Sequence, residues 1–123
     1  MAGVRASTAA DPWTHGFSMV EQTSCAVIGS CAYKGSPDQE GVVEIAYGVD
    51  PEYQGRGYAT EAARALAYFA FRSGRVRLVR VHTRAENNAS TRVLAKCGFE
   101  RIGEVVDPED GLVWRWELQR GAA

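Results

Sequence analysis

The sequence predicts an α/β (α+β) domain built on one mixed, mostly antiparallel β-sheet with flanking helices. Three observations predict it. Apolar and β-favouring residues fill short segments at both ends of the chain, whereas near Tyr58 the apolar spacing changes to that of a helix. Glycine, proline and asparagine clusters stand at the changes of period. The resulting order is strand, strand, strand, helix, strand, helix, strand, strand, which argues for antiparallel strands around a single parallel crossover. With 123 residues, 46% of them hydrophobic, the chain fits one core better than two. The expected organisation is a loose leader over residues 1–12 and one domain over 13–123.

The leader is rich in Ala, Ser, Thr and Gly and shows no period. Phe17 to Gln22 and Ala26 to Lys34 then read as a hairpin around Thr23-Ser24. After the polar turn Gly35 to Gly41, a third strand runs from Val42 to Val49 and completes a meander. Asp50-Pro51-Glu52 stops it, because proline fixes φ and donates no hydrogen bond. Ala59, Ala62, Ala63, Leu66 and Ala70 lie at i, i+3, i+4, i+7 and i+11, which puts a small-residue apolar stripe on a helix from about Tyr58 to Ser73. Gly74 terminates it. Val76 to His82 reads as a strand, and Asn87-Asn88-Ala89-Ser90 offers caps to a second helix ending at Cys97-Gly98. Phe99 to Val106 and Leu112 to Gln119 are the last strands, and alternation puts Trp114 and Trp116 on one face.

Several function classes are excluded early. Fourteen Lys and Arg against fifteen Asp and Glu give a net charge of −1, so nothing global advertises nucleic acid, and Arg75, Arg77, Arg80 and Arg84 are split between strand faces. No apolar run approaches the roughly 18 residues of a membrane span, and the start lacks the charged-then-apolar order of a signal peptide. A cytoplasmic protein with no membrane partner is expected. Cys25, Cys31 and Cys97 form an odd set without a CxxC pair, which argues for free, mostly buried thiols. His15 and His82 stand too far apart and too poorly accompanied to propose a metal site, so none is expected.

The chemistry concentrates in Gln54-Gly55-Arg56-Gly57-Tyr58-Ala59. A glycine loop between a strand and a helix turns backbone N–H groups toward one point, and the helix N-terminus adds unpaired donors and partial positive charge. That combination fits a pyrophosphate. Gly55 and Gly57 carry no Cβ to hold phosphate oxygens away, while Arg56 either adds a charged contact or lies in solvent. The dinucleotide fingerprint is absent, since Thr60 stands where its third glycine belongs, and so is the P-loop Gly-Lys-Ser/Thr ending. A plain turn into a helix remains the competing reading.

The segment Gln54 to Ala59 resembles the Gln/Arg-x-x-Gly-x-Gly/Ala signature of GNAT N-acyltransferases. Thr60-Glu61-Ala62 after it, and Asn87 to Phe99 downstream, resemble the RimJ/RimL-like branch, which acetylates protein N-termini and small amines. The resemblance covers roughly Phe17 to Leu118. It implies acetyl-CoA as cosubstrate, without a metal, and a central parallel pair in which the strand ending near Val49 splays from the strand near Val81. The pantetheine arm would lie in that cleft, with the pyrophosphate against Gln54, Gly55, Arg56, Gly57, Tyr58, Ala59 and Thr60. Asn87 holds the family position that contacts pantetheine, and is equally a helix cap.

Acetyl transfer to an amine needs a deprotonated amine, a polarised thioester carbonyl and a stabilised thiolate. Glu44 matches the region where some family members carry a glutamate base; a solvated strand-edge carboxylate is its other reading. Alternation puts Glu44, Ala46 and Gly48 on one face, with room for a substrate, and Ile45, Tyr47 and Val49 on the other. A backbone N–H between Tyr47 and Val49 is the candidate to polarise the carbonyl. Many relatives protonate the thiolate with a tyrosine where this sequence has Leu94. Ser90, at a position that faces the thiol in the RimJ/RimL-like branch, is the candidate donor, or a cap of its helix. Tyr53, Tyr58, Phe69 and Phe71 read as packing residues.

Family members usually carry a further strand and one or two helices before the hairpin, forming a wall of the acceptor site. The expectation is therefore an N-terminally shortened GNAT fold with an exposed sheet edge, and hence a homodimer. Two functions follow: an N-acetyltransferase acting on a small-molecule or peptide amine, or a CoA-binding module weak or inactive in catalysis.

Overall fold

The computed structural model describes residues 4–5, 13, 16–21, 23–86 and 88–121. Strands β1 (Val4–Arg5), β2 (Phe17–Glu21), β3 (Val27–Tyr33) and β4 (Val42–Val49) precede helix α1 (Tyr58–Arg72). Strand β5 (Leu78–Arg84), helix α2 (Ala89–Lys96), and strands β6 (Glu100–Asp107) and β7 (Gly111–Gln119) follow. All seven strands join one sheet in the order β1-β2-β3-β4-β5-β7-β6.

The predicted meander is present, with β2 antiparallel to β3 and β3 antiparallel to β4. Among the described residues the single parallel ladder is β4 with β5, joined across α1. One difference lies in the leader. Val4 and Arg5 pair antiparallel with Val20 and Glu21, because the free backbone edge of β2 offers hydrogen-bonding groups that two residues satisfy without any sequence period. Another lies at β5, which begins two residues late and continues to Arg84. Arg77 and Leu78 donate their backbone N–H to Gly41 O, which sets the start, while Thr83 and Arg84 pair with Trp114 and Val113.

Helix α1 buries Ala62, Ala63, Leu66, Ala67 and Ala70, and it packs chiefly on β4. Four alanines on that face let the helix sit close to the sheet, and burying Leu66 alone contributes about 2 kcal/mol. Tyr33 pins the helix from β3 by donating its hydroxyl to Leu66 O at 2.6 Å. Phe69, 47% exposed, still packs against Trp13 and Tyr33.

Both helices lie on the same face of the sheet, where they contact each other. Ile45, Val79, Val81, Leu94, Trp116 and Leu118 belong to the core on that side. The registers Arg80–Glu117 and His82–Arg115 alternate with Val79–Leu118 and Val81–Trp116, so the charged pairs occupy the opposite face. Among the described residues no helix covers that face. No helix among them is long and apolar enough to cross a membrane.

Candidate functional site

The parallel ladder is short. Val42, Val43 and Glu44 pair with Leu78, Val79 and Arg80, and the register stops there. Beyond it, among the described residues, β4 from Ile45 to Val49 is paired only with β3, and β5 from Val81 to Arg84 only with β7. The two strands therefore part after Glu44 and leave an open wedge, as the resemblance implies.

At the far end of β4 the chain makes a single 3₁₀ turn, Pro51–Tyr53, with proline at its first position. Gln54 Nε2 donates to Val49 O at 2.9 Å and folds the loop back on the strand end. Gly55 and Gly57 then take φ of 80° and 85°, in the left-handed region that favours glycine. A Cβ at either would meet no described atom within 4 Å, so backbone conformation, not crowding, calls for glycine and the space before the loop stays open. Gly57 is the N-cap of α1, and among the described residues no side-chain cap hydrogen bond is made at that terminus. The first-turn N–H groups are left facing outward with the positive end of the helix dipole.

This terminus opens on a cavity of about 190 Å³. Val49, Gln54, Gly55, Gly57, Tyr58, Ala59 and Thr60 line one side, and Ala89, Arg92, Val93 and Lys96 of α2 line the other. Of the loop residues expected there, Arg56 is not part of the lining; its guanidinium stands 5.5 Å from the Tyr53 ring centroid. Tyr53 and Tyr58 both pack on the small cluster of Met19, Ile28 and Ala62 and line the cavity, so the packing role expected of them is only part of their environment. Tyr58 also donates its hydroxyl to Glu21, tying the β2–β3 hairpin to the helix start.

Helix α2 begins differently. Asn88 Oδ1 accepts from Thr91 N at 3.1 Å, and Thr91 Oγ1 accepts from Asn88 N at 2.9 Å, a complete capping box. Asn87 lies outside the described residues. Ser90 is brought beside Tyr47 of β4, whose hydroxyl lies 3.3 Å from Ser90 Oγ and 3.4 Å from Ser90 O. Burial raises the Tyr47 phenol above its ordinary range, so the hydroxyl keeps its hydrogen through neutral and mildly alkaline pH. The second-helix tyrosine is absent, Leu94 being fully buried in the core.

Glu44 occupies the last paired position of β4, on the face away from the helices. Its side chain is 26% exposed and accepts from Lys34 Nζ at 3.3 Å and His82 Nδ1 at 2.9 Å, which is more than a solvated strand-edge carboxylate. The thiols are free, as expected, but not mostly buried: Cys97 is buried, Cys31 half-buried, and Cys25 exposed in the hairpin turn at φ 60°. Among the described residues no group of His, Cys, Asp or Glu could hold a metal ion.

Sequence reasoning missed Tyr47 and His82 as neighbours of the two catalytic candidates, and Arg92 and Lys96 as cavity walls. The last two carried a readable signal. Ala89, Arg92, Val93 and Lys96 stand at i, i+3, i+4 and i+7, one face of α2.

A family model described as the acetyltransferase (GNAT) domain matches residues 3–100. The chain belongs to the GNAT acetyltransferase family. Among curated relatives of this GNAT domain is the uncharacterized N-acetyltransferase p20 of Bacillus licheniformis, 28% identical over 93 residues, or 76% of this chain and 52% of that protein. The uncharacterized N-acetyltransferase YjdG of Bacillus subtilis is 28% identical over 89 residues, 70% of this chain and 53% of that one. The GNAT chain thus spans about half the length of these relatives. Among solved structures, the ribosomal-protein-S5-alanine acetyltransferase of Vibrio fischeri superposes with a TM-score of 0.76 at 20% identity, covering 86% of this chain and 61% of that one. The aminoglycoside acetyltransferase AAC(6')-Ib, in complex with ribostamycin and coenzyme A, gives 0.72 at 26% identity, covering 89% and 67%. The mixed sheet with its splayed parallel pair is the GNAT fold.

Proposed function

We propose that this GNAT domain binds acetyl-CoA and transfers its acetyl group directly to a primary amine, either of a small molecule or of a protein N-terminus. The observation that carries the reading is the uncapped α1 terminus, opening through Gly55 and Gly57 onto a cavity at the end of a splayed strand. Backbone donors, the helix dipole, Arg92 and Lys96 suit a pyrophosphate there. The pantetheine arm would run along the wedge past Val49 toward Tyr47; the role of Asn87 as its contact rests on the family resemblance alone. The names of two solved relatives, a ribosomal-protein-S5-alanine acetyltransferase and an aminoglycoside acetyltransferase, support a protein and a small-molecule acceptor.

In the reaction, the amine nitrogen forms a bond to the thioester carbonyl carbon, and the carbon–sulfur bond breaks with its electron pair on sulfur. Glu44 accepts the amine proton, directly or through water. Ser90 donates a hydrogen bond to the leaving sulfur, with Tyr47 behind it, and a backbone N–H between Tyr47 and Val49 polarises the carbonyl. A second reading, a CoA-binding module without efficient turnover, is favoured by the sheet face on the Glu44 side, which no helix among the described residues covers.

The free thiols support a reducing, cytoplasmic setting. A homodimer is supported by the open edge of β6, near which Ile102, Val106 and Leu112 are exposed.

Calorimetric titration with acetyl-CoA and with CoA tests the reading. Micromolar binding with turnover of an amine panel is expected; no binding by the folded protein overturns it. Glu44→Gln should lower kcat by on the order of 10²-fold while leaving coenzyme affinity nearly unchanged.

A further inference from the structure

The face of the sheet away from the helices carries a line of charged side chains that crosses the point where β4 and β5 part. Arg80 is taken up by Glu117, with Nε and a terminal nitrogen at 3.0 and 2.9 Å from Glu117 Oε2. That leaves Lys34, Glu44, His82 and Arg115 as a second, separate set. Glu44 is the last residue of β4 paired with β5, and His82 lies two residues beyond its partner Arg80. The imidazole therefore reaches back across the apex of the wedge to the carboxylate.

Donor chemistry decides which hydrogen lies where. Arg115 Nε stands 3.2 Å from His82 Nε2, and a guanidinium N–H only donates. His82 Nε2 must then accept, which puts the ring hydrogen on Nδ1, directed at Glu44 Oε2 at 2.9 Å. Lys34 Nζ donates to the same oxygen at 3.3 Å. Both donors thus converge on Oε2, and Oε1 takes no hydrogen bond among the described residues. A carboxylate held by one oxygen with the other left open is arranged to accept a proton from a third party. An imidazole whose Nε2 is occupied is not arranged to act as the base itself.

We propose that His82 is a positioning residue: clamped by Arg115 in the Nδ1–H tautomer, it holds Glu44 Oε2 so that Oε1 faces the acceptor amine at the apex of the wedge. The inference rests on the acetyl-transfer reading and adds a second residue, and its tautomer, to that site. The balance of the step is simple. The amine proton moves to Oε1 as the new nitrogen–carbon bond forms and the thiolate departs, then passes from Glu44 to water, while the His82 hydrogen stays on Nδ1 throughout.

Two measurements test it. The first is the long-range 1H–15N spectrum of the uniformly labelled full chain, in which His82→Asn identifies the His82 ring against that of His15. The Nδ1–H pattern is expected, and an Nε2–H ring overturns the clamp. The second is a kinetic cycle. His82→Ala should lower kcat by about 10-fold or more with KM for acetyl-CoA unchanged, as expected for a displaced reacting group. In the Glu44→Gln background the same substitution should cost nothing further, because His82 acts only through Glu44. His82→Asn, which keeps a donor near the Nδ1 position, should recover most of the loss, and thermal melts verify that each variant is folded. The two kinds of failure separate: no acetyl-CoA binding or no turnover by the unmodified chain overturns the acetyl-transfer reading, whereas turnover with an Nε2–H ring, or with losses that add in the double variant, overturns the clamp alone.

Discussion

The two helices begin in opposite ways, although their first turns face the same cavity. Helix α1 starts at a left-handed glycine with no side chain capping it. Helix α2 starts with Asn88 and Thr91 satisfying each other's backbone N–H groups. A cap stabilises a helix by occupying the donors that an anion would otherwise use. The contrast supports the proposed roles, the α1 terminus as the phosphate site and the capped α2 start as a wall that carries side chains to the cavity. Stability is given up at the first start and kept at the second, as expected when one of the two must change partners on binding.

The largest effect that would break this comparison is at the glycine. Gly57→Val puts a branched side chain at φ 85°, in front of the open terminus. It should weaken acetyl-CoA binding by on the order of 10²-fold, beyond a backbone strain of about 1–2 kcal/mol. Calorimetry reads the first and a melt the second, and undiminished affinity would mean that the α1 terminus does not hold the pyrophosphate.

The intermediate effect is at the other start. Asn88→Ala should destabilise the fold by about 1 kcal/mol, roughly a 4 °C fall in Tm, with coenzyme affinity nearly unchanged. A large loss of affinity at constant Tm would show that α2, too, offers its terminus to the ligand. The smallest effects belong to the wall. Arg92→Ala and Lys96→Ala, both at exposed positions, should each weaken acetyl-CoA by a few-fold, about 0.2–1 kcal/mol, and make affinity less sensitive to salt.

Legibility in the sequence followed the length scale of the signal. The α1 stripe from Ala62 to Ala70 and the strand Val42–Val49 were readable because a repeating period reports one buried face. The glycine loop was readable because Pro51, Gly55 and Gly57 have few other uses in that spacing. Val4–Arg5 was not, since two residues contain no period and their pairing depends on where the edge of β2 lies. The late start of β5 was hidden for the same reason: Val76 is as apolar as a strand residue and is 1% exposed, yet the ladder begins where Arg77 and Leu78 reach Gly41.

Among the proposed site residues, Glu44 and Ser90 are candidates from the chain by resemblance, but their companions are not. Tyr47 precedes Ser90 by 43 positions and Glu44 precedes His82 by 38, separations over which no local pattern operates. Arg56 shows the converse. It sits inside the most legible motif of the chain, and its side chain still turns away to Tyr53.

By itself, then, the sequence determined the order and type of the elements from β2 to β7, the turn that opens α1 and the family, because these depend on neighbours within a few residues or on a continuous motif. Only the tertiary structure decided where β4 and β5 part, that both helices share one face, and that the other face brings Lys34, Glu44, His82 and Arg115 together. Each of those depends on strand register, and register is set by packing across the sheet, beyond the reach of any spacing along the chain.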